Sequence, residues 1–182
     1  MKSRKVYNDK ADIVYASSCP RFNDAAKEIY KAMEISYPKF YKMDALSKSA
    51  FLCSEYLMRN IKDEVSPQMN GIFLSNKASS LETDENYQER SFIDQKIVAN
   101  PSIFVYTLPN VMMGELCIRY KLMGEQSFWI SENFDAVSVS NYVNLLFENQ
   151  LIERCIVGWA NFYKDEHTTG FVKLIQSQGD IF

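Results

Sequence analysis

Short apolar runs of strand length alternate along this chain with stretches whose apolar residues recur every three or four positions, and that alternation is the strongest constraint on its fold. Residues 12–17 read as a short strand that stops at Ser18-Cys19-Pro20, because proline cannot donate to a sheet ladder. Asn23 is placed to cap a helix over 24–35, with Ala25, Ile29 and Met33 on one stripe. Tyr37-Pro38 ends it. Asp44 opens the best helical pattern, in which Leu46, Ala50, Cys53, Leu57 and Ile61 recur at spacings of four, three, four and four. The small residues Ser47, Ser49, Ala50 and Ser54 let that helix lie close to a sheet. Residues 71–75 read as a buried strand, and the polar stretch 76–94 as a surface excursion, mostly solvated loop and partly helical at best.

A helix is expected from Leu108-Pro109-Asn110 to Met123, with Gly124 stopping it. Gly114 inside that helix costs about 1 kcal/mol against alanine, so close packing on another backbone is expected there. Residues 127–131 form a strand of bulky side chains, and Asp135 caps a helix over 136–149 with Val139, Val143 and Leu146 inward. Residues 154–162 suit a strand buried on both faces. Residues 170–176 alternate and suit an edge strand. Strands alternating with helical stretches, closed by two successive strands, imply a mostly parallel sheet with helices on both faces and one antiparallel strand at the end. No repeat or linker divides residues 1–182, so one domain is expected.

Composition removes several function classes. The 23 acidic and 20 basic residues leave a net charge of −3, without the basic excess that nucleic acid requires. The single histidine, His167, excludes a metal or catalytic site built on two histidines of this chain. Cys19, Cys53, Cys117 and Cys155 form no CxxC pair and mostly sit among apolar neighbours, which favours reduced, buried thiols. No apolar run approaches the roughly 20 residues of a membrane span. The basic start, Met1-Lys2-Ser3-Arg4-Lys5, has no apolar run behind it, so no signal peptide is read and the cytoplasm is the expected compartment.

Candidate chemistry is sparse. No phosphate-loop glycine pattern occurs, and no cofactor or metal is expected. The strand-to-helix junction Ile130-Ser131-Glu132-Asn133-Phe134-Asp135 lies where α/β sheets bind ligands. Ser131 is its one candidate nucleophile, with no histidine near it in sequence. Cys155 lies within an apolar strand, where burial makes a thiol inert. Aromatic residues make up 14% of the chain, and those of the second half, among them Phe104, Phe128, Trp129, Phe134 and Trp159, read as core or interface packing, or as an apolar slot for an acyl or aryl chain.

The run from Asn100-Pro101-Ser102 to Leu108-Pro109-Asn110, followed by Gly114-Glu115 and Met123-Gly124-Glu125, resembles the N-terminal half of β-ketoacyl synthases. In that family a similar segment precedes a helix, a turn, a strand and the nucleophile elbow. The resemblance spans about residues 40–177, with 44–60 as the first helix, 71–75 as the second strand and 153–160 as the strand after the nucleophile helix. The chain is most similar to short ketosynthase-like proteins found beside full ketosynthases in aryl polyene and related pigment pathways. The resemblance implies half of a thiolase-like fold. That is a five-stranded mixed sheet in the order 3-2-1-4-5, last strand antiparallel, with helices on both faces.

The departures from the family carry the functional expectation. The elbow cysteine falls on Phe134, or on Asn133 with another gap placement, beside Ser131; none is a thiol. The family's histidines belong to a C-terminal half that has no counterpart in these 182 residues. Condensation needs a thiolate and polar partners that stabilise the enolate. The resemblance therefore implies a non-catalytic, chain-length-factor-like partner of a full ketosynthase in fatty acid, polyene or pigment synthesis, with an acyl carrier protein as a further partner. Phe128, Trp129 and Ile130 would lie at a homo- or heterodimer interface, and Phe134 would plug the former nucleophile site. The alternatives are a small hydrolase or acyltransferase using Ser131 with an acid, and a homodimeric acyl-ligand-binding protein.

Overall fold

The computed structural model describes residues 4–8, 10–59, 61, 65–93, 96–97, 99–164 and 169–176. Its elements begin with β1 (Arg4–Tyr7), β2 (Ile13–Ser17), α1 (Phe22–Ala32) and α2 (Ala45–Met58). Next come β3 (Asn70–Asn76), α3 (Leu81–Ser91), β4 (Phe92–Ile93), β5 (Lys96–Ile97), α4 (Pro101–Phe104) and α5 (Val111–Tyr120). The chain continues through β6 (Gln126–Ile130), α6 (Ala136–Glu148), β7 (Arg154–Asn161) and β8 (Thr169–Ile175).

The central sheet has four strands in the order β6-β3-β7-β8. β6 and β7 both run parallel to β3, and β8 returns antiparallel along β7. All seven residues of β3 are buried, as befits a strand covered on both faces. Its alternation divides the core. Ile72 and Leu74 join Phe40, Phe51, Leu116 and Ile156 on the side of α1, α2 and α5. Phe73 joins Val139, Val143, Leu146, Val157 and Ile175 on the side of α6. Each fully buried side chain of this size contributes roughly 1.5–3 kcal/mol through the hydrophobic effect.

The expected five-stranded sheet in the order 3-2-1-4-5 is not formed. β2, the expected central strand, lies outside the main sheet and pairs antiparallel with β1, a strand that the sequence pattern does not announce. A central strand must bury both faces, whereas Ile13 at 51% and Tyr7 at 51% are exposed. The hairpin is closed locally, since Asn8 Oδ1 accepts the backbone N–H groups of Lys10 and Asp12 at 3.0 and 2.8 Å. β3 takes the vacated position and pairs directly with β7.

The helical part of 76–94 is α3, which takes up most of the stretch as Leu81–Ser91. Only Thr83 and Ser91 of that helix are buried, so it carries no apolar stripe to reveal it. Polar contacts hold it in place. The Ser80 hydroxyl donates to the Thr107 carbonyl at 2.6 Å, and the Thr83 hydroxyl donates to Asp44 Oδ2 at 2.8 Å. Glu82 and Asp84 in the first turn and Arg90 in the last complement the helix dipole.

Asp44 and Asp135 are the N-caps of α2 and α6, accepting from the N–H groups of Ser47 at 2.8 Å and Ser138 at 3.0 Å. α1 instead starts earlier than its expected cap, with Arg21 as N-cap and Asn23 inside the helix. Ser47, Ser49 and Ser54 are buried, consistent with close approach of α2 to its neighbours. α5 ends on Lys121, whose φ of 54° gives a left-handed cap. Close packing at Gly114 is not found, for a Cβ there would meet nothing within 4 Å. The close approach is at Gly124, where a Cβ would lie 2.7 Å from the Gln68 carbonyl oxygen and 2.8 Å from that of Asn70.

Candidate functional site

β3, β6 and β7 deliver their carboxyl ends to one side of the sheet, and the asparagines there fix the turns that follow. Asn161 Oδ1 accepts the backbone N–H groups of Lys77 and Ala78 at 3.2 and 2.8 Å. Asn76 Oδ1 accepts from Ser79 N–H at 2.9 Å, and its amide donates to the Ser79 carbonyl at 3.0 Å. The carbonyl of Asn76 accepts from Ser131 N–H at 2.9 Å, which ties the turn after β6 to the end of β3. Lys77 and Glu132 complete this tie with an ion pair.

Within that turn, Ser131, Glu132 and Asp135 are engaged in local contacts. The Ser131 hydroxyl donates to the Asn133 carbonyl at 2.8 Å. Asp135 Oδ2 accepts from the Ser138 hydroxyl at 2.6 Å. Bonds to the Ser138 hydroxyl and N–H hold the Asp135 carboxyl below the usual carboxylate range. Asn133 is exposed. Phe134 is half-buried, packing with the α6-side core and meeting Trp159 edge-on. His167 lies outside the described residues.

None of the cysteines is at this turn. Cys155 sits at the opposite end of the sheet, level with Gly71 at the start of β3, and burial pushes its thiol up to about 12. Burial pushes Cys53 and Cys117 up to about 11. Cys19 donates to Glu28 Oε1 at 3.1 Å, which also raises it. All four are free thiols. Among the described residues no group of three or more His, Cys, Asp or Glu side chains is placed to hold a metal ion, and no helix is long and apolar enough to cross a membrane.

Phe128, Trp129 and Ile130 lie on an edge strand but do not share one face. Phe128 is half-buried against the α2 and α5 side. Trp129 turns to the other side, 4.8 Å from Phe73 and 5.5 Å from Tyr142 between ring centroids. Ile130 is 57% exposed at the strand's end, close in sequence to Val137 at 71%.

A second feature has no signature in the sequence. A cleft of about 710 Å³ opens between α1, the start of α2, α3 and α4, and also reaches Phe162 and Lys164 beyond β7. Lys48, 6% exposed, forms part of its floor and donates from Nζ to Asn23 Oδ1 at 2.8 Å. Tyr106 lines it with its hydroxyl engaged by Glu115 Oε1 at 2.9 Å. The lining residues run from Arg21 to Lys164, so no local motif marks them.

No family model matches the sequence, and no curated protein matches it. The fold does have solved counterparts. "The ishigamide ketosynthase/chain length factor" superposes with a TM-score of 0.62 at 20% identity, covering 69% of this chain and 37% of that one. A ketosynthase (ApeO) in complex with its chain length factor (ApeC), from Xenorhabdus doucetiae, gives 0.57 at 16% identity, covering 80% of this chain and 63% of that one. A type II polyketide acyl-carrier protein complex with its ketosynthase, AntDE:AntF, gives 0.57 at 12%, covering 78% of this chain and 46% of that one. The chain therefore spans less than two thirds of the length of each. At these identities the likeness is one of fold alone: the chain shares the fold of part of these ketosynthase and chain-length-factor structures.

Proposed function

We propose that this chain is a non-catalytic, chain-length-factor-like partner of a catalytic ketosynthase in fatty acid, aryl polyene or pigment synthesis. The observation that carries the reading is the turn after β6. Its candidate hydroxyl, Ser131, is spent on the Asn133 carbonyl, and an aromatic ring, Phe134, fills the neighbouring position. Acyl transfer through a thioester or ester enzyme intermediate requires a thiol or hydroxyl activated by a base. The same hydrogen bond weighs against the serine-hydrolase alternative. The edge of β6 supplies a ladder for a partner strand, with Ile130 exposed beside it. The fold counterparts include complexes of a ketosynthase with its chain length factor and of a ketosynthase with an acyl-carrier protein, which supports a partner of that kind.

Two measurements test this. Intact-mass analysis after incubation with acyl-CoA and with acyl-loaded carrier protein is expected to show no acyl adduct; a stable adduct overturns the reading. Co-expression with a ketosynthase encoded next to it is expected to give a complex that Ile130→Glu disrupts. A homodimer by sedimentation, with no affinity for any ketosynthase, favours the homodimeric ligand-binding alternative.

A further inference from the structure

We propose that the cleft between α1, α2, α3 and α4 binds a phosphorylated small molecule of nucleotide size. Its volume of about 710 Å³ falls in the range of small-molecule sites. Six of its lining residues are cations and three are carboxylates, although the chain as a whole carries −3. The carboxylates are already engaged. Asp24 pairs with Arg21 at 2.7 Å and Lys27 at 3.6 Å. Asp44 accepts from Ser47 N–H and the Thr83 hydroxyl, both at 2.8 Å. Glu82 accepts from Lys164 N–H at 2.8 Å.

Three cations are left over. Among the described residues no carboxylate lies within 4.0 Å of Lys42, Lys48 or Arg90. Lys48 is the informative one. Its ammonium has three donors, and its one hydrogen bond goes to Asn23. A cation removed from water is costly unless it gains a counter-charge. Asp44 attracts it from beyond 4.0 Å and the Phe40 ring centroid lies 6.0 Å from its ammonium, so a bound anion would add a charge in direct contact and use the idle donors. Lys42 and Arg90 are exposed at the cleft, and the planar guanidinium of Arg90 suits pairs of phosphate oxygens. One carboxylate would neutralise a single cation, whereas a di- or triphosphate brings charge enough for three. Tyr41, half exposed at the cleft and packed at steep angles against Tyr30 and Phe40, adds an aromatic ring to the lining.

Isothermal titration of the full chain with ATP, pyrophosphate and adenosine tests the proposal independently of the ketosynthase reading. ATP and pyrophosphate are expected to bind, adenosine is not, and added salt should weaken both complexes. The double charge reversal Lys42→Glu/Arg90→Glu changes exposed side chains and is expected to weaken binding by about tenfold or more. Lys10→Glu, on the β1–β2 turn, is expected to leave it unchanged. Lys48→Met should abolish binding where circular dichroism shows the native fold, and if that variant unfolds, the double reversal still decides. Absence of binding by both ATP and pyrophosphate overturns the proposal. So does adenosine binding as tightly as ATP, or binding indifferent to the double reversal.

Discussion

Phe134 meets Trp159 edge-on, with ring centroids 6.5 Å apart and planes at 84°. The contact joins the turn after β6 to β7, across the carboxyl ends of the strands. Phe134→Ala is expected to cost about 1–3 kcal/mol, less than a fully buried phenylalanine, because the ring is half-buried. Asn133→Ala, at the exposed neighbour, should stay within about 0.5 kcal/mol. Urea unfolding of the two variants reads the difference.

Two glycines should respond with opposite signs. Gly114 lies within α5, where an added methyl would meet nothing within 4 Å beyond its own helix, so Gly114→Ala is expected to stabilise by up to about 1 kcal/mol. Gly124→Ala drives a methyl to 2.7 Å from a backbone oxygen and is expected to destabilise by about 2 kcal/mol or more. Thermal unfolding midpoints that move the same way would contradict this.

Asp44 combines a capping role with an unfavourable charge. Burial pushes its carboxyl above the usual range, outweighing the bonds from Ser47 and Thr83 and the attraction of Lys48. A carboxyl raised on folding favours its neutral form. Its contribution is therefore fully present below the unfolded value of about 3.9 and is lost as pH rises through the folded value. Asp44→Asn keeps a capping oxygen and should remove this loss, leaving stability at pH 7 equal to or above that of the parent. Asp44→Ala loses the cap, at about 1–2 kcal/mol. Unfolding curves across pH 4–8 separate the two effects, and an asparagine variant as weak as the alanine one would refute the assignment.

Thiol reactivity should follow burial. With Cys155 at about 12 and Cys53 and Cys117 at about 11, thiolate is scarce at pH 8. Native protein treated with iodoacetamide is expected to label first at half-exposed Cys19 and to label all four sites only after unfolding. Rapid native labelling of Cys155 would show that β7 opens locally.

The sequence by itself determined the caps at Asp44 and Asp135, the apolar strands at the heart of the sheet and the antiparallel return of the last strand. Those features are written in local spacing, where one carboxylate reaches an N–H three residues on and alternating side chains point to opposite faces. Only the tertiary structure decided the strand order, the exclusion of β2 from the sheet and the extent of α3. It also decided the cleft that gathers residues from Arg21 to Lys164. A periodic pattern states which face of an element is apolar but not which neighbour will cover it. A helix such as α3, held by hydroxyls of Ser80 and Thr83 on distant partners, leaves no periodic trace at all.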